Sequence, residues 1–397
     1  MTNRLYYTEP YRTECDATVV AVDTVDSRTH VTLDQTVFYP ASGGQPFDTG
    51  TLGGAAVSEV IDREDGTIAH VTAGSLKVGE IVQGAIDWAR RFDHMQQHTG
   101  QHVLSAAFDR LFAVRTESFH MGTASATIDL AREVSASDVA RAEDEANRIV
   151  WENRTVAVRF ASAEEAASLP LRKESNRTGP LRLIEIEAFD LSACGGTHVS
   201  RTGAIGVIAI GGWERFRGGS RVEFLCGGRA LNQFRLLRDS LAATQKFLSV
   251  APEEMAAAVE RMQVDSKAQQ RTLRGFQEQL AIHEAHALLE KAMPSGDQVV
   301  LVEALEGWDA QGLKAIAAAA VAEKPNAVVA LFTTTTPALV VIARGSTATT
   351  DAGALLKSLV AQFGGKGGGK ADLAQGGGLA GSGDALIEAA RSALAPG

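Results

Sequence analysis

Hydrophobic and polar positions change their rhythm several times along the chain, and each change predicts a different kind of element. From Ala17 to about Ile86, β-branched residues alternate with polar ones, as in "ATVVAVDTVDSRTHVTLDQTVFY", and "SGG", "DTGTLGG" and "EDGT" punctuate the runs as turns. Short antiparallel strands at this spacing predict a small β-barrel. At Trp88 the period lengthens. Between Ala89 and Phe112 there is no proline and a single glycine, Gly100, while Phe92, Met95, Val103, Leu104, Ala107 and Leu111 recur as a helical stripe. A second helix is predicted to about Asn153, capped by Ser135, Ser137 or Asp138.

Beyond it, "TVAVRFAS" reads as a strand and "AEEAASLP" as a helix. "LRLIEIEAFDLSACGGTHV" reads as one strand feeding a tight diglycine turn, and "GAIGVIAIGGWERFRGGSRVEFLCG" as two more strands. Helices on antiparallel strands make an α+β domain. From about Gly228 to Ala292 the chain is rich in Leu, Ala, Gln and charge. Leu236, Leu237, Leu241, Phe247 and Leu248, then Leu273, Phe276, Leu280, His283 and Leu288, predict long amphipathic helices, an antiparallel arm or coiled coil with imperfect heptads. In the tail, "QVVLVEAL" and "ALVVIARG" alternate with helix-like segments and predict an α/β domain, interrupted by "GGKGGGKADLAQGGG" at 364–378. The expected organisation is therefore an α+β multidomain chain: an N-terminal β-barrel over 1–88, an α+β domain over 89–232, a helical arm over 233–293 and a C-terminal α/β domain over 294–397.

Composition narrows the class. A chain of 397 residues with 45% hydrophobic and 22% charged residues has material for two or three globular domains. No apolar run approaches the roughly 20 residues of a membrane span, and no membrane partner is expected. The first residues lack the apolar stretch of a secretory signal, and only 3 cysteines are present. A cytoplasmic protein without a disulfide framework is the expectation. A net charge of -10 disfavours nucleic acid as a partner for the whole surface, so any such contact must rest on local basic patches.

The candidate chemistry lies in "HMQQHTGQH" and "CGGTH". His94, His98 and His102 recur every four residues, and the chain has 9 histidines in all. On a helix, His98 and His102 share one face a turn apart. Cys194 and His198 flank a diglycine turn with the same interval. Imidazole plus thiolate suits zinc best among common metals, which makes His98, His102, Cys194 and His198 a candidate zinc site. Other histidine chemistries are excluded by what is missing. A zincin helix needs a glutamate where Thr99 stands, and a nucleobase deaminase needs His-x-Glu with Cys-x-x-Cys. Cys15 and Cys226 have no partner at metal spacing and read as structural.

"HTGQH" followed by "CGGTH" resembles the editing domain shared by alanyl-tRNA synthetases and free-standing alanyl-tRNA editing proteins of the AlaX type. "LDQTVFYPASGGQPFDTG" at 33–50 is similar to the signature of that family's N-terminal barrel, and the glycine-rich 364–378 stretch to that of its DHH-associated C-terminal domain. The resemblance implies a free-standing editor of the long type, since no aminoacylation domain fits ahead of residue 17 and no ATP is implied. It implies zinc-assisted hydrolysis of the 3′ aminoacyl ester of tRNA(Ala) mischarged with serine, and also with glycine. The alternative is a non-catalytic, zinc-containing tRNA-binding module. A phosphoesterase carrying the same C-terminal domain would need an Asp-His-His cluster, and "FDHM" at 92–95 does not supply one.

Within that frame, the Gln45 amide, which both donates and accepts, is the barrel's candidate for contacting substrate or water, with Gly43 and Gly44 allowing close backbone approach. Thr32 or Thr36 would read the serine hydroxyl. His94, His120 and Asp190 are candidates for orienting the metal ligands. Lys366 and Lys370, with Arg215 and Arg217 beside Arg221, are candidate tRNA contacts, and Arg90 and Arg91 are expected to face RNA. The arm or the C-terminal domain is expected to form a homodimer contact.

Overall fold

The computed structural model describes residues 1–172 and 180–395. The chain divides into two compact units, residues 1–244 and 245–397.

In the first unit, six antiparallel strands close a barrel. Around the barrel they run Glu14–Val25, Arg28–Leu33, Ile68–Thr72, Ala55–Asp62, Gly50–Leu52 and Ile81–Ile86. Period-two alternation sends Cys15, Ala17 and Val19 inward from the first strand, where they meet Val31, Leu33, Leu52, Val60, Ile68 and Val82. Asp87 then caps the helix Trp88–Phe112, its side chain accepting from the Arg90 N–H, and Ala113 ends that helix in a left-handed conformation. The helix is the one its stripe predicted, but it is buried well beyond that stripe. From Met95 to Phe108 every residue except Gln96 is buried. It packs on the capped helix Ala136–Trp151, on a four-stranded sheet, and on a short 3-10 turn at Thr202–Ile205. In order, that sheet runs Ile208–Phe216, Gly219–Cys226, Ala126–Leu130 and Thr116–Met121.

Two features of this region escaped the sequence pattern. Thr116–Met121 and Ala126–Leu130 are strands, in a stretch too short to establish a period between two helices. The segment "LRLIEIEAFDLSA" is a hairpin of Leu181–Ile186 and Asp190–Ala193, completing a three-stranded sheet with Val156–Ala161. Its bend places Ala188 at φ 52°, a conformation that usually advertises itself as glycine or asparagine.

The helix Gly227–Leu248 begins where the helix-rich stretch was expected and crosses the boundary between the units. In the second unit, Met255–Leu289 is a single long helix. A six-stranded sheet follows in the order Met293–Ser295, Gln298–Leu305, Ala327–Thr333, Ala338–Arg344, Leu373–Leu379, Lys366–Gly369. Only Gln298–Leu305 and Ala327–Thr333 pair in parallel, through the crossover helix Ala310–Glu323. The other neighbours are antiparallel, three of the four pairs being joined by short turns and Ala338–Arg344 with Leu373–Leu379 through the helix Ala352–Phe363 and the edge strand, so the expected α/β domain has a mixed sheet. Alternate residues feed two cores. Leu301, Val329, Leu331 and Val341 face the helices Met255–Leu289 and Ala310–Glu323. Val302, Ala330, Phe332 and Ile342 face Ala352–Phe363 and Gly383–Ala393. The lysine-bearing glycine run is no linker: it forms the edge strand, hydrogen-bonded to Leu373–Leu379. No helix among the described residues is long and apolar enough to cross a membrane.

The buried helix leaves no slack at its one glycine. A Cβ on Gly100 would lie 2.2 Å from the Cys226 sulfur. Gly100→Ala gains about 1 kcal/mol in helix propensity but loses about 1–3 kcal/mol to overpacking, so the melting temperature falls. Adding Cys226→Ala removes the obstructing sulfur and raises the melting temperature above that of the single Gly100→Ala variant; thermal denaturation of both variants checks this.

Candidate metal centre

Three separated stretches meet at one point in the first unit. Ser42–Gln45 is a tight turn in which the N–H of each end residue donates to the carbonyl of the other, at 3.1 and 2.9 Å. Gly43 and Gly44 occupy positive φ values of 57° and 85°, as a two-residue turn of this kind requires. The turn drives Gln45 into the interior, where it is 1% exposed. The long helix brings His98 and His102, and the loop after Asp190–Ala193 brings Cys194 and His198. Gly196 in that loop has no alternative, because a Cβ there would sit 2.1 Å from the His98 ring.

The four candidate donors lie within 4.8 Å of one another. Cys194 Sγ is 3.4 Å from both His98 Nε2 and His198 Nε2. Metal–sulfur and metal–nitrogen bonds of about 2.3 and 2.0–2.1 Å at a tetrahedral angle separate the two donors by about 3.6 Å, so the cluster has the dimensions of a zinc-binding set.

Each imidazole is turned by a different buried acceptor. Gln45 Oε1 receives His98 Nδ1 at 2.9 Å and the Thr197 N–H at 3.0 Å, while Gln45 Nε2 donates to Thr197 Oγ1 at 2.8 Å. The backbone N–H fixes which way the amide faces, so His98 Nδ1 carries the hydrogen. Thr99 Oγ1 donates to Met95 O and accepts from the Val199 N–H, which leaves it to accept from His198 Nδ1 at 3.1 Å. His102 Nδ1 meets Asp190 Oδ2 at 3.0 Å, and Asp190 is itself held by Arg172 and Ser192. All three rings therefore offer the Nε2 lone pair to the common point.

Electrostatics favours the ligating forms. Burial, with the Arg182 charge adding to it, pushes the His98 imidazole down to about 3. Burial, then His98, His102 and Arg182, holds His198 well below its ordinary value. Burial works to raise the Cys194 thiol, but His102, the Gly196 N–H and Arg182 outweigh it and leave the thiol below its usual range. Burial likewise opposes the Asp190 charge, yet His102 and Arg172 keep that carboxyl ionised. Neutral imidazoles and an easily ionised thiol are what a metal requires.

The cluster opens into a cavity of about 560 Å³ lined by Tyr7, Tyr39, Phe119, Phe160, Arg172 and Arg182, among others. That volume is in the range of small-molecule sites. Gly43 lines the cavity, whereas Gly44 packs on Phe119. Thr32 and Thr36 do not line it. The Thr32 hydroxyl is buried without a hydrogen-bond partner among the described residues, and the Thr36 hydroxyl is engaged by His70 Nε2 at 2.8 Å inside the barrel. His94 is buried one turn before His98, outside the four-residue cluster, and His120 is exposed on Thr116–Met121.

Arg91 is buried and so does not face RNA as expected, and Arg90 beside it is half-buried against the barrel. Arg91 is fully buried in an ion pair with Asp48 and donates to Pro10 O and Val37 O. Arg90 donates to Phe47 O and lies over the Phe47 ring. Both dock the helix on the barrel, a use of arginine that looks identical to a basic patch in sequence. Arg215 and Arg217 are exposed; Arg215 pairs with Glu133, and Arg221 is tied to Asp129. Lys366 and Lys370 are exposed. The sequence reading missed Thr99 and Thr197, whose only signal was a place inside the two ligand motifs, and Arg172 and Arg182, which carry no local signal.

Residues 10–90 match the family described as tRNA synthetases class II (A), 181–223 the threonyl and alanyl tRNA synthetase second additional domain, and 297–395 the DHHA1 domain. The chain is 31% identical over 392 residues to the alanyl-tRNA editing protein AlaX-L of Pyrococcus horikoshii, covering 95% of this chain and 94% of that protein. It is 35% identical over 283 residues to the alanyl-tRNA editing protein Aarsd1 of Mus musculus, covering 70% and 68%. Similarity to the alanine–tRNA ligase of Methanoregula boonei, 34% over 390 residues, covers 95% of this chain but 42% of the ligase. Among solved structures, the C-Ala domain of Aquifex aeolicus alanyl-tRNA synthetase covers 26% of this chain at 22% identity with a TM-score of 0.25.

Two measurements check the geometry. Gln45→Leu removes the acceptor that orients His98, and zinc affinity measured by chelator competition falls about 10–100-fold while the fold persists. His70 is buried, which lowers it to about 4 from an ordinary 6.5. The unfolded chain therefore binds the extra proton first as the pH drops. Stability present above pH 6.5 is lost down to pH 4, by up to about 3 kcal/mol from this residue, and His94 acts in the same direction. Urea denaturation at pH 7 and pH 4.5 reads the difference, and a His70→Gln variant shows a flatter pH dependence.

Proposed function

Because the chain belongs to the family of alanyl-tRNA editing proteins, we propose that it deacylates mischarged tRNA(Ala) in trans, releasing chiefly serine and also glycine from the 3′-terminal adenosine. The observation that carries this reading is the convergence of His98, His102, Cys194 and His198, oriented by buried partners, at the wall of a cavity of about 560 Å³. These four side chains would hold zinc, which supplies Lewis-acid polarisation of the ester and of water. Gln45 acts through His98 and not on the substrate, since its amide is spent on the ring and on Thr197. The hydroxyls placed to meet an amino-acid side chain are those lining the cavity, Ser42, Thr116, Ser118 and Ser192. The buried positions of Thr32 and Thr36 lend no support to either as the reader of serine.

Lys366 and Lys370 on the exposed glycine edge strand support a tRNA contact in the C-terminal unit, where small residues let phosphates approach the backbone. Arg217 supports a second contact in the first unit. The exposed Leu231, Phe234 and Leu236 on the helix Gly227–Leu248 support the homodimer contact. A binding module without catalysis is favoured by one feature, that four protein donors already complete a tetrahedral set.

Purified protein incubated with seryl-, glycyl- and alanyl-tRNA(Ala) separates the readings. Serine release with alanine spared, abolished by chelator and by a folded Cys194→Ala variant, is the expected result. Binding of seryl-tRNA(Ala) with no release would establish the module instead.

A further inference from the structure

Three arginines among the described residues of the first unit are buried, and they are not equivalent. Arg91 meets Asp48 and Arg229 meets Asp93, each through a carboxylate. Arg182, on the strand Leu181–Ile186, has no carboxylate partner among the described residues. It is 8% exposed. Its Nε donates to Tyr7 O at 3.0 Å, and its Nη1 donates to Cys194 O at 2.8 Å and to Gly196 O at 2.9 Å. Its Nη2 is buried and has no hydrogen-bond partner among the described residues. The guanidinium lies 5.3 Å from the Tyr7 ring centroid and lines the same cavity as the metal cluster.

A buried cation with no carboxylate partner and an idle donor is costly: the Cys194 thiol, which its charge helps to ionise, meets part of the desolvation, but nothing among the described residues meets the Nη2 hydrogens. Arginine also cannot escape the cost by losing its proton. Such a group is retained where negative charge arrives during the working cycle. The substrate offers that charge in two places, the phosphodiesters of the strand and the carbonyl oxygen of the ester as the carbonyl carbon becomes tetrahedral. Arg182 grips both carbonyls of the Cys194–Gly196 turn, so it sits on the same part of the wall as the ligands. The ester has to reach that wall to react, whereas the phosphates trail behind it.

We infer that Arg182 is a catalytic residue of the deacylation proposed above, its Nη2 donating a hydrogen bond to the carbonyl oxygen of the ester as that oxygen becomes an oxyanion. In the step it serves, a water oxygen bonds to the carbonyl carbon. The bond from that carbon to the 3′ oxygen breaks with its electron pair on the 3′ oxygen. One water proton ends there and the other goes to solvent as the carboxylate leaves. Arg182 transfers no proton and remains charged throughout. The inference rests on the deacylase reading, and its prediction is that the donor contributes more to the rate than to binding.

The test compares wild-type protein with Arg182→Lys and Arg182→Gln, after metal content and melting temperature have been matched. Single-turnover release of serine from seryl-tRNA(Ala) falls about 10²–10³-fold at saturation. Affinity for uncharged tRNA(Ala) and for the non-hydrolysable amide of serine with 3′-amino-3′-deoxyadenosine stays within about threefold of wild type. An unchanged rate overturns the inference. So does weakened binding of uncharged tRNA with the rate preserved, which would make Arg182 a phosphate contact. Lost metal or a lowered melting temperature in both variants would point to support of the turn, and the wild type then decides. A crystal structure with a tetrahedral phosphonamidate analogue of seryl-adenosine has to place a phosphonyl oxygen within hydrogen-bond distance of Nη2. An oxygen bound elsewhere overturns the inference. If wild-type protein releases no serine, the deacylase reading fails by itself, and the analogue complex alone judges Arg182.

Discussion

The buried ion pair of Arg91 and Asp48 is the constraint on which the first unit depends. Asp48 lies in the barrel loop that carries Gln45, and Arg91 lies two helical turns before His98 on the same side. Their contact, with Arg91 also donating to Val37 O and Pro10 O, fixes the helix against the barrel loop. Only in that register does Gln45 reach the His98 ring. A charge pair of this kind adds little net stability over an apolar contact, but removal of one partner leaves a buried charge at a cost of about 3–5 kcal/mol. It therefore specifies one docking of barrel on helix.

From this docking follows a layered site. The outermost groups are Arg172, Ser192 and Thr197, which hold Asp190 and Gln45. Those acceptors, with Thr99, hold three imidazoles by Nδ1 and turn three Nε2 atoms toward Cys194. An amide oxygen, a carboxylate and a hydroxyl perform the same orienting task at one centre. They differ in charge, and only the Asp190 carboxylate adds a negative charge beside the cluster. Arg182 adds a positive one from the opposite partner set, through the turn that carries Cys194.

The C-terminal unit is built on another principle. Its three central strands, Gln298–Leu305, Ala327–Thr333 and Ala338–Arg344, are apolar runs that feed cores on both sheet faces. The glycine-rich strand at one sheet edge is exposed along its whole length. Without side chains it presents backbone, flanked by Lys366 and Lys370. The glycine-rich composition serves here as an exposed, lysine-bearing sheet edge.

Local chemistry determined a good part of this protein before any fold was known. Four donors at two four-residue intervals, the strand rhythm of the barrel, the long helices and the role of Gly43 and Gly44 in a turn follow from short-range geometry, which sequence spacing records. The sequence could not disclose which polar residues face inward. Arg91 and Arg182 look like surface cations, Gln45 like a substrate contact and Thr36 like a hydroxyl reader. Their surroundings were set by partners 54, 12, 53 and 34 residues away. The hairpin at Ala188 and the mixed C-terminal sheet were likewise settled by tertiary packing. The desolvation of a charge, and the hydrogen bonds that compensate it, exist only once distant segments have closed around it.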